Sequence, residues 1–147
     1  MSKYILLVED DQNDLELALF ALERAQLTRD IATVRDGAEA LDYLFRRNAF
    51  AERAAGNPAV VLLDLKMPKV DGLAVLEAIR ADEELQHIPV AMLSSSRIES
   101  DLNHAYALGV NAYVVKPVDF KQFVSTVSDL GLFWVTLNEP PLRSTRI

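Results

Sequence analysis

Short apolar runs alternate along the chain with stretches whose apolar residues recur every three or four positions. The pattern repeats five times. Tyr4 to Val8, Ile31 to Val34, Val60 to Leu63, Val90 to Leu93 and Ala112 to Val115 are each four or five residues of β-branched or aliphatic character bounded by turn formers, which predicts strands. Helices are predicted between and after them. Leu15, Leu19 and Leu22 share one stripe; in "GAEALDYLF" Ala38, Leu41, Leu44 and Phe45 do so; in "GLAVLEAIR" Leu73, Leu76 and Ile79 do so. "ESDLNHAYALG" closes at Gly109, a helix C-terminal glycine. "DFKQFVSTVSDLG" has Asp119 as N-cap, a stripe through Phe120, Phe123 and Val127, and Gly131 as its expected stop.

Parallel strands need a crossover, and the crossover is usually a helix. The alternation therefore predicts an α/β fold, a parallel sheet covered by helices on both faces. Strand order does not follow from alternation alone. Two segments depart from the rhythm: "RRNAFAERAAGNP", which lengthens the second crossover, and the tail from Leu132 onward.

Length and composition fit one core. The chain has 147 residues, half of them apolar, enough for a single compact domain. With no cysteine, disulfides and thiolate metal sites are excluded, and a reduced, cytoplasmic setting is expected. No apolar run is long enough to span a bilayer, and the start turns acidic where a signal peptide would reach its cleavage site. The net charge of −7 disfavours nucleic acid as a partner.

The polar residues at the strand ends carry the chemistry. Ligands of open α/β sheets bind beyond the carboxyl ends of the strands. There the first strand delivers Glu9 and Asp10, the third Asp64, the fourth Ser94 and the fifth Lys116, followed by Pro117. Like charges about 4 Å apart repel by roughly 4 kcal/mol at an effective dielectric near 20, so converging carboxylates call for a cation. Oxygen donors alone suit a hard ion such as Mg²⁺. Asp11 is expected to start the next helix, and Asp71-Gly72 to form a turn leading into another. His87 and His104 lie away from the strand-end cluster.

"LLVEDD", "VVLLDLKMPKVDGL", "IPVAMLSS" and "AYVVKP", in this order on successive strand ends, closely resemble the receiver domain of two-component response regulators. The resemblance spans roughly Lys3 to Leu130. It implies a doubly wound, flavodoxin-like five-stranded sheet of order 2-1-3-4-5 that accepts a phosphoryl group from a sensor histidine kinase. Asp64 matches the phosphoacceptor; Glu9 and Asp10 match the acidic pair that holds Mg²⁺ with Asp64, the Lys66 backbone carbonyl being a further ligand. Ser94 matches the switch hydroxyl, Lys116 the lysine of the family pattern and Tyr113 the aromatic switch residue. Lys116-Pro117 falls where the family often has a cis bond.

Some positions differ from the commonest family pattern. Glu9 replaces a more frequent aspartate and Ser94 a more frequent threonine; Lys66 and Ser96 occupy positions that influence how fast the acyl phosphate hydrolyses. The long second crossover and the tail look like single-domain regulators associated with phytochrome-type sensor kinases. A flavodoxin-type FMN site needs a hydroxyl and glycine loop where this chain has carboxylates. A hydrolase of the haloacid-dehalogenase type needs an aspartate two residues after the nucleophile, where Lys66 stands. Neither dinucleotide nor P-loop glycine motifs occur.

A receiver over residues 1–131 and an extension over 132–147 are thus expected, with no separate effector domain and no enzymatic turnover of its own. Output would pass through a surface, to a target protein or a histidine phosphotransfer protein. In the tail Phe133, Trp134, Val135 and Leu137 form an apolar group, and the Pro140-Pro141 pair stiffens the segment beyond it. This predicts an extended arm, Phe133 to Leu142, at a twofold homodimer interface.

Overall fold

The computed structural model describes residues 3–27, 31–95, 98–117 and 119–140. Ser96, Pro141 and Leu142 lie outside the described residues. Five strands, β1 (Ile5–Val8), β2 (Ile31–Val34), β3 (Val60–Asp64), β4 (Val90–Ser94) and β5 (Ala112–Val115), form one parallel sheet of order β2-β1-β3-β4-β5. Helices α1 (Gln12–Arg24), α2 (Gly37–Phe45), α3 (Gly72–Ala81), α4 (Glu99–Ala107) and α5 (Phe120–Leu132) alternate with them. The doubly wound receiver topology implied by the motifs is the one observed.

The period-two alternation of the strands splits the core into two halves. Leu6, Val8, Val61, Leu63, Val90 and Met92 point toward α2, α3 and α4. Ile5, Leu7, Val60, Leu62, Ala91 and Leu93 point toward α1 and α5. Strands β1, β3 and β4 are buried along their whole length, as strands covered on both faces must be. At about 25 cal/mol per Å² of apolar surface, these continuous aliphatic runs are the main source of stability.

Aspartate starts four of the five helices. Asp11, Asp36, Asp71 and Asp119 each accept a hydrogen bond from the backbone N–H three residues on, satisfying a donor that the helix cannot pair itself. The expected roles of Asp11, Asp71 and Asp119 are confirmed. Helix α4 closes at Gly109 as expected, with the Val110 N–H on the Ala105 carbonyl at 3.1 Å. It starts at Ile98 without a side-chain cap.

Three expectations are corrected. In α2 the buried face is Gly37, Ala40 and Leu44, while Phe45 lies at the exposed margin. Periodicity gives the width of an apolar face but not its phase. In α5 Phe120 is exposed and lies tilted against the also exposed Phe20 of α1, ring centroids 6.2 Å apart. The stripe facing the sheet is Phe123, Val127 and Gly131.

The third correction concerns the tail. Gly131 does not stop α5, which runs to Leu132 and continues as a π-helical turn, Phe133–Leu137. A Cβ on Gly131 would come within 2.7 Å of Leu22 Cδ2 and 3.0 Å of Leu27 Cδ1. This glycine therefore serves close approach of α5 to α1, not helix termination. Trp134 and Val135 pack back onto the α1/α5 half of the core. Lys3 Nζ donates to the Asn138 carbonyl at 3.0 Å. The expected extended arm is thus a helical continuation through Leu137, held against its own domain because those apolar groups find cover there.

The lengthened second crossover is also tied down. Arg53 lies 4.3 Å above the Tyr43 ring and donates to the carbonyls of Tyr43 (2.6 Å) and Gly56 (3.1 Å). Tyr4 donates its hydroxyl to Gly56 O at 2.9 Å.

Candidate functional site: an acidic pocket at the carboxyl edge of the sheet

The alternation that divides the core also sorts the polar strand ends. Glu9, Asp64 and Lys116 continue the register of Leu7, Leu62 and Val114, residues on the α1/α5 side. Ser94 and Tyr113 continue that of Met92, on the α3/α4 side. The site therefore sits over the carboxyl edge of the sheet, with its charged groups toward one face and its hydroxyl residues toward the other.

Glu9, Asp10 and Asp64 each place a carboxylate oxygen within 4.8 Å of the others. Glu9 and Asp64 are buried, 3% and 8% exposed, and Asp10 is half-buried. Two donors orient Glu9: the Asp11 backbone N–H to Oε2 at 3.1 Å and Lys116 Nζ to Oε1 at 3.0 Å. Lys116 Nζ also donates to Asp14 Oδ2 at 2.8 Å and lies 3.5 Å from Asp64 Oδ1. The Lys116 backbone N–H holds the Ser94 carbonyl at 2.8 Å, so the backbones of Lys116 and Ser94 are fixed to one another where β4 and β5 end. No peptide bond among the described residues is cis, Lys116-Pro117 included.

Burial, joined by the nearby Glu9 charge, pushes the Asp64 carboxyl from 3.8 up to about 7; Lys116 opposes the shift. Burial works against the Lys116 ammonium, but its hydrogen bond to Asp14 and the charges of Asp64 and Glu9 outweigh that and push its pKa up. One ammonium thus faces Glu9, Asp14 and Asp64, with Asp10 beside them. This surplus of hard oxygen donors fits a divalent cation such as Mg²⁺.

Backbone packing sets the position of Asp64. Gly72, first residue of α3, donates to the Leu65 carbonyl at 2.7 Å. A Cβ there would press into the Asp64 carbonyl and lie 2.9 Å from Leu65 Cα. Only glycine lets α3 begin so close to the end of β3. Lys66 is exposed in the loop after β3, lining a cleft with Met67, Leu73 and Asp101.

Ser94 is 1% exposed at the end of β4, and Tyr113 is half-buried against the α3/α4 half of the core. His87 and His104 are exposed and outside the acidic group.

Two further residues contact the site and were not singled out from sequence. Arg35, in the β2–α2 turn, donates to the carbonyls of Glu9 and Asp10, both at 3.1 Å, and so clamps the backbone of the acidic pair. Asp14 holds Lys116. Neither had a signal: charged residues at a turn or in a first helical turn are common for reasons of capping and dipole alone.

Comparison with known proteins agrees with this geometry. Residues 5–128 match the response regulator receiver domain, and the chain belongs to that family. The bacteriophytochrome response regulator RtBRR is 61% identical, with a TM-score of 0.77 over 99% of this chain and 88% of that one. The phosphorylated cyanobacterial phytochrome response regulator RcpA is 39% identical, with a TM-score of 0.88 over 97% and 100%. Response regulator Rcp1 of Synechocystis sp. is 34% identical over 90% of this chain and 89% of that protein. Its Mn²⁺-bound form superposes with a TM-score of 0.87, covering 95% and 99%. No helix among the described residues is long and apolar enough to cross a membrane.

Proposed function

We propose that this receiver accepts a phosphoryl group on Asp64 from the phosphohistidine of a phytochrome-type sensor histidine kinase, in a Mg²⁺-dependent reaction. The observation that carries the reading is the buried Asp64 carboxylate, 3.5 Å from the Lys116 ammonium and grouped with the carboxylates of Glu9 and Asp10. The bacteriophytochrome relatives support the kinase class. Glu9, Asp10, Asp64 and the Lys66 carbonyl would hold Mg²⁺, a role consistent with the Mn²⁺-bound relative. When bound, the ion neutralises charge on the phosphoryl oxygens and fixes their direction.

In the transfer, an Asp64 carboxylate oxygen bonds to phosphorus as the phosphorus–nitrogen bond to the donor imidazole breaks, and that bond's electron pair returns to nitrogen. Lys116 pairs with a phosphoryl oxygen. Ser94 donates to another, a bond that exists only after transfer, and its formation draws the β4–α4 loop inward and gives Tyr113 room to turn. The chain is a phosphoacceptor that assists its own phosphorylation and dephosphorylation, not a turnover enzyme. It works in the cytoplasm and passes the signal to a target or a histidine phosphotransfer protein.

The test is incubation with Mg²⁺ and acetyl phosphate followed by mass measurement and peptide mapping. One phosphoryl group on the peptide carrying Asp64, not taken up when chelator replaces Mg²⁺ in the incubation, is expected; uptake at another residue, or none, rejects the assignment.

Assembly belongs to the same reading. The α5 continuation leaves Leu132, Phe133 and Leu137 exposed at 39%, 46% and 70%, whereas Trp134 and Val135 are largely covered by their own domain. The homodimer contact is accordingly carried by Phe133 with its two leucine neighbours. Sedimentation at micromolar concentration should show a dimer, and Phe133→Asp with Leu137→Asp a monomer. A monomeric wild type, or an equally dimeric variant, removes this surface from the assembly.

A further inference from the structure

The Lys116 ammonium is engaged by more carboxylates than phosphoryl transfer requires. Its shortest contact is neither to the phosphoacceptor nor to Glu9 but to Asp14 Oδ2, at 2.8 Å; Asp64 Oδ1 stands at 3.5 Å, outside good hydrogen-bond range. Asp14 lies in the first turn of α1, where its backbone N–H is tied to the Asp11 cap at 2.9 Å. Its carboxylate is thereby presented from a rigid element. Lysine and aspartate side chains are 12% and 30% exposed, so the pair is partly shielded from water and from salt.

We infer that Asp14 is a resting-state anchor for Lys116, which holds the ammonium back from Asp64 and is released when a phosphoryl oxygen becomes the better acceptor. The inference rests on the reading of Asp64 as phosphoacceptor. A doubly charged phosphoryl group on Asp64 outcompetes one carboxylate for the ammonium, while Glu9 keeps its own contact. The released Asp14, nearly a third exposed, turns to water. In this arrangement Asp14 opposes phosphorylation twice, by stabilising the starting position of Lys116 and by adding a negative charge near the incoming anion. It is a positioning residue: it touches neither metal nor phosphorus and acts through Lys116.

The experiment compares the intact protein with Asp14→Asn, which keeps shape and removes charge, and Asp14→Glu, which keeps charge. All are measured at saturating Mg²⁺. The readouts are the rate of phosphorylation by acetyl phosphate and the affinity for beryllofluoride, a phosphoryl mimic, from ¹⁹F NMR. Asp14→Asn should be phosphorylated about fivefold faster and bind beryllofluoride about fivefold more tightly, the scale of a partly exposed ion pair. Asp14→Glu should stay near wild type. A side chain that merely supported α1 would give slower phosphorylation and weaker binding on removal, so an Asn variant equal to or slower than a competent wild type overturns the anchor. A wild type that takes no phosphoryl group overturns instead the assignment of Asp64, and this inference with it.

Discussion

An Asp64→Asn variant is expected to take no phosphoryl group from acetyl phosphate while becoming more stable than the wild type in the absence of divalent cations. The first outcome follows from loss of the nucleophile at nearly constant volume. The second follows from the charge balance of the site, where burial and Glu9 raise the Asp64 pKa from 3.8 to about 7. For a carboxyl raised on folding, both states are protonated at low pH. Above 3.8 the unfolded chain ionises while the folded one still holds its proton, so stability falls as pH climbs toward 7 and the full penalty applies beyond it. Asn removes that penalty, worth about 2 kcal/mol once imperfect amide pairing is subtracted. Denaturant unfolding in chelator at pH 5 and pH 8 checks the sign: the gain should be larger at pH 8 and should shrink when Mg²⁺ is added. Phosphorylation that persists in the variant contradicts the assignment of Asp64 as nucleophile, and a gain greater at pH 5 contradicts the electrostatic account.

Replacing Lys116 by Ala should act in the opposite sense on stability. Glu9, Asp14 and Asp64 then face one another without the ammonium they share. Removing one partner of a largely buried pair costs about 2–4 kcal/mol, and a melting temperature lower by roughly 5–10 °C is expected in chelator. Mg²⁺ should still bind, because loss of a cation cannot weaken a carboxylate site for a cation by repulsion, and should recover part of the lost stability. Phosphorylation should slow by about 10²–10³-fold, the scale on which a single aimed donor matters. The phosphorylated variant should fail to show the conformational change of the wild type. Calorimetric Mg²⁺ titration and melting curves read the first two effects. A variant that melts at the wild-type temperature, or switches normally once phosphorylated, would show that Lys116 is not the shared counter-charge.

Most of the fold was legible because alternation of apolar strands with amphipathic segments admits few arrangements, and because four strand-end motifs occur in receiver order. The strands were placed to within a residue, β2 and β5 in full. Strand ends also located the acidic group, since period two carries Glu9, Asp64 and Lys116 to the same side of the sheet. What sequence did not disclose was non-local. Gly131 reads as a helix stop, and only the side chains of Leu22 and Leu27, more than a hundred positions earlier, show it to be a contact point. Trp134 and Val135 looked free for a partner because the face that covers them is assembled from distant elements. Asp14 and Arg35 gain meaning only when the β1–α1 turn folds beside β5 and the β2–α2 turn.

The uninterrupted passage of α5 through Gly131 makes the tail a mechanical extension of that helix. Phe133 and Leu137 are borne at a fixed angle about the α5 axis, and Phe120 at its other end sits four residues beyond Lys116. Any tilt of α5 at the carboxyl edge of the sheet is magnified along a lever of about 20 Å, at 1.5 Å per residue over thirteen residues, before it reaches the apolar tip. Adding one residue within α5 would swing that tip by about 100°. Angular phase along this helix, and not only the chemistry of its side chains, thus decides where the proposed dimer contact points.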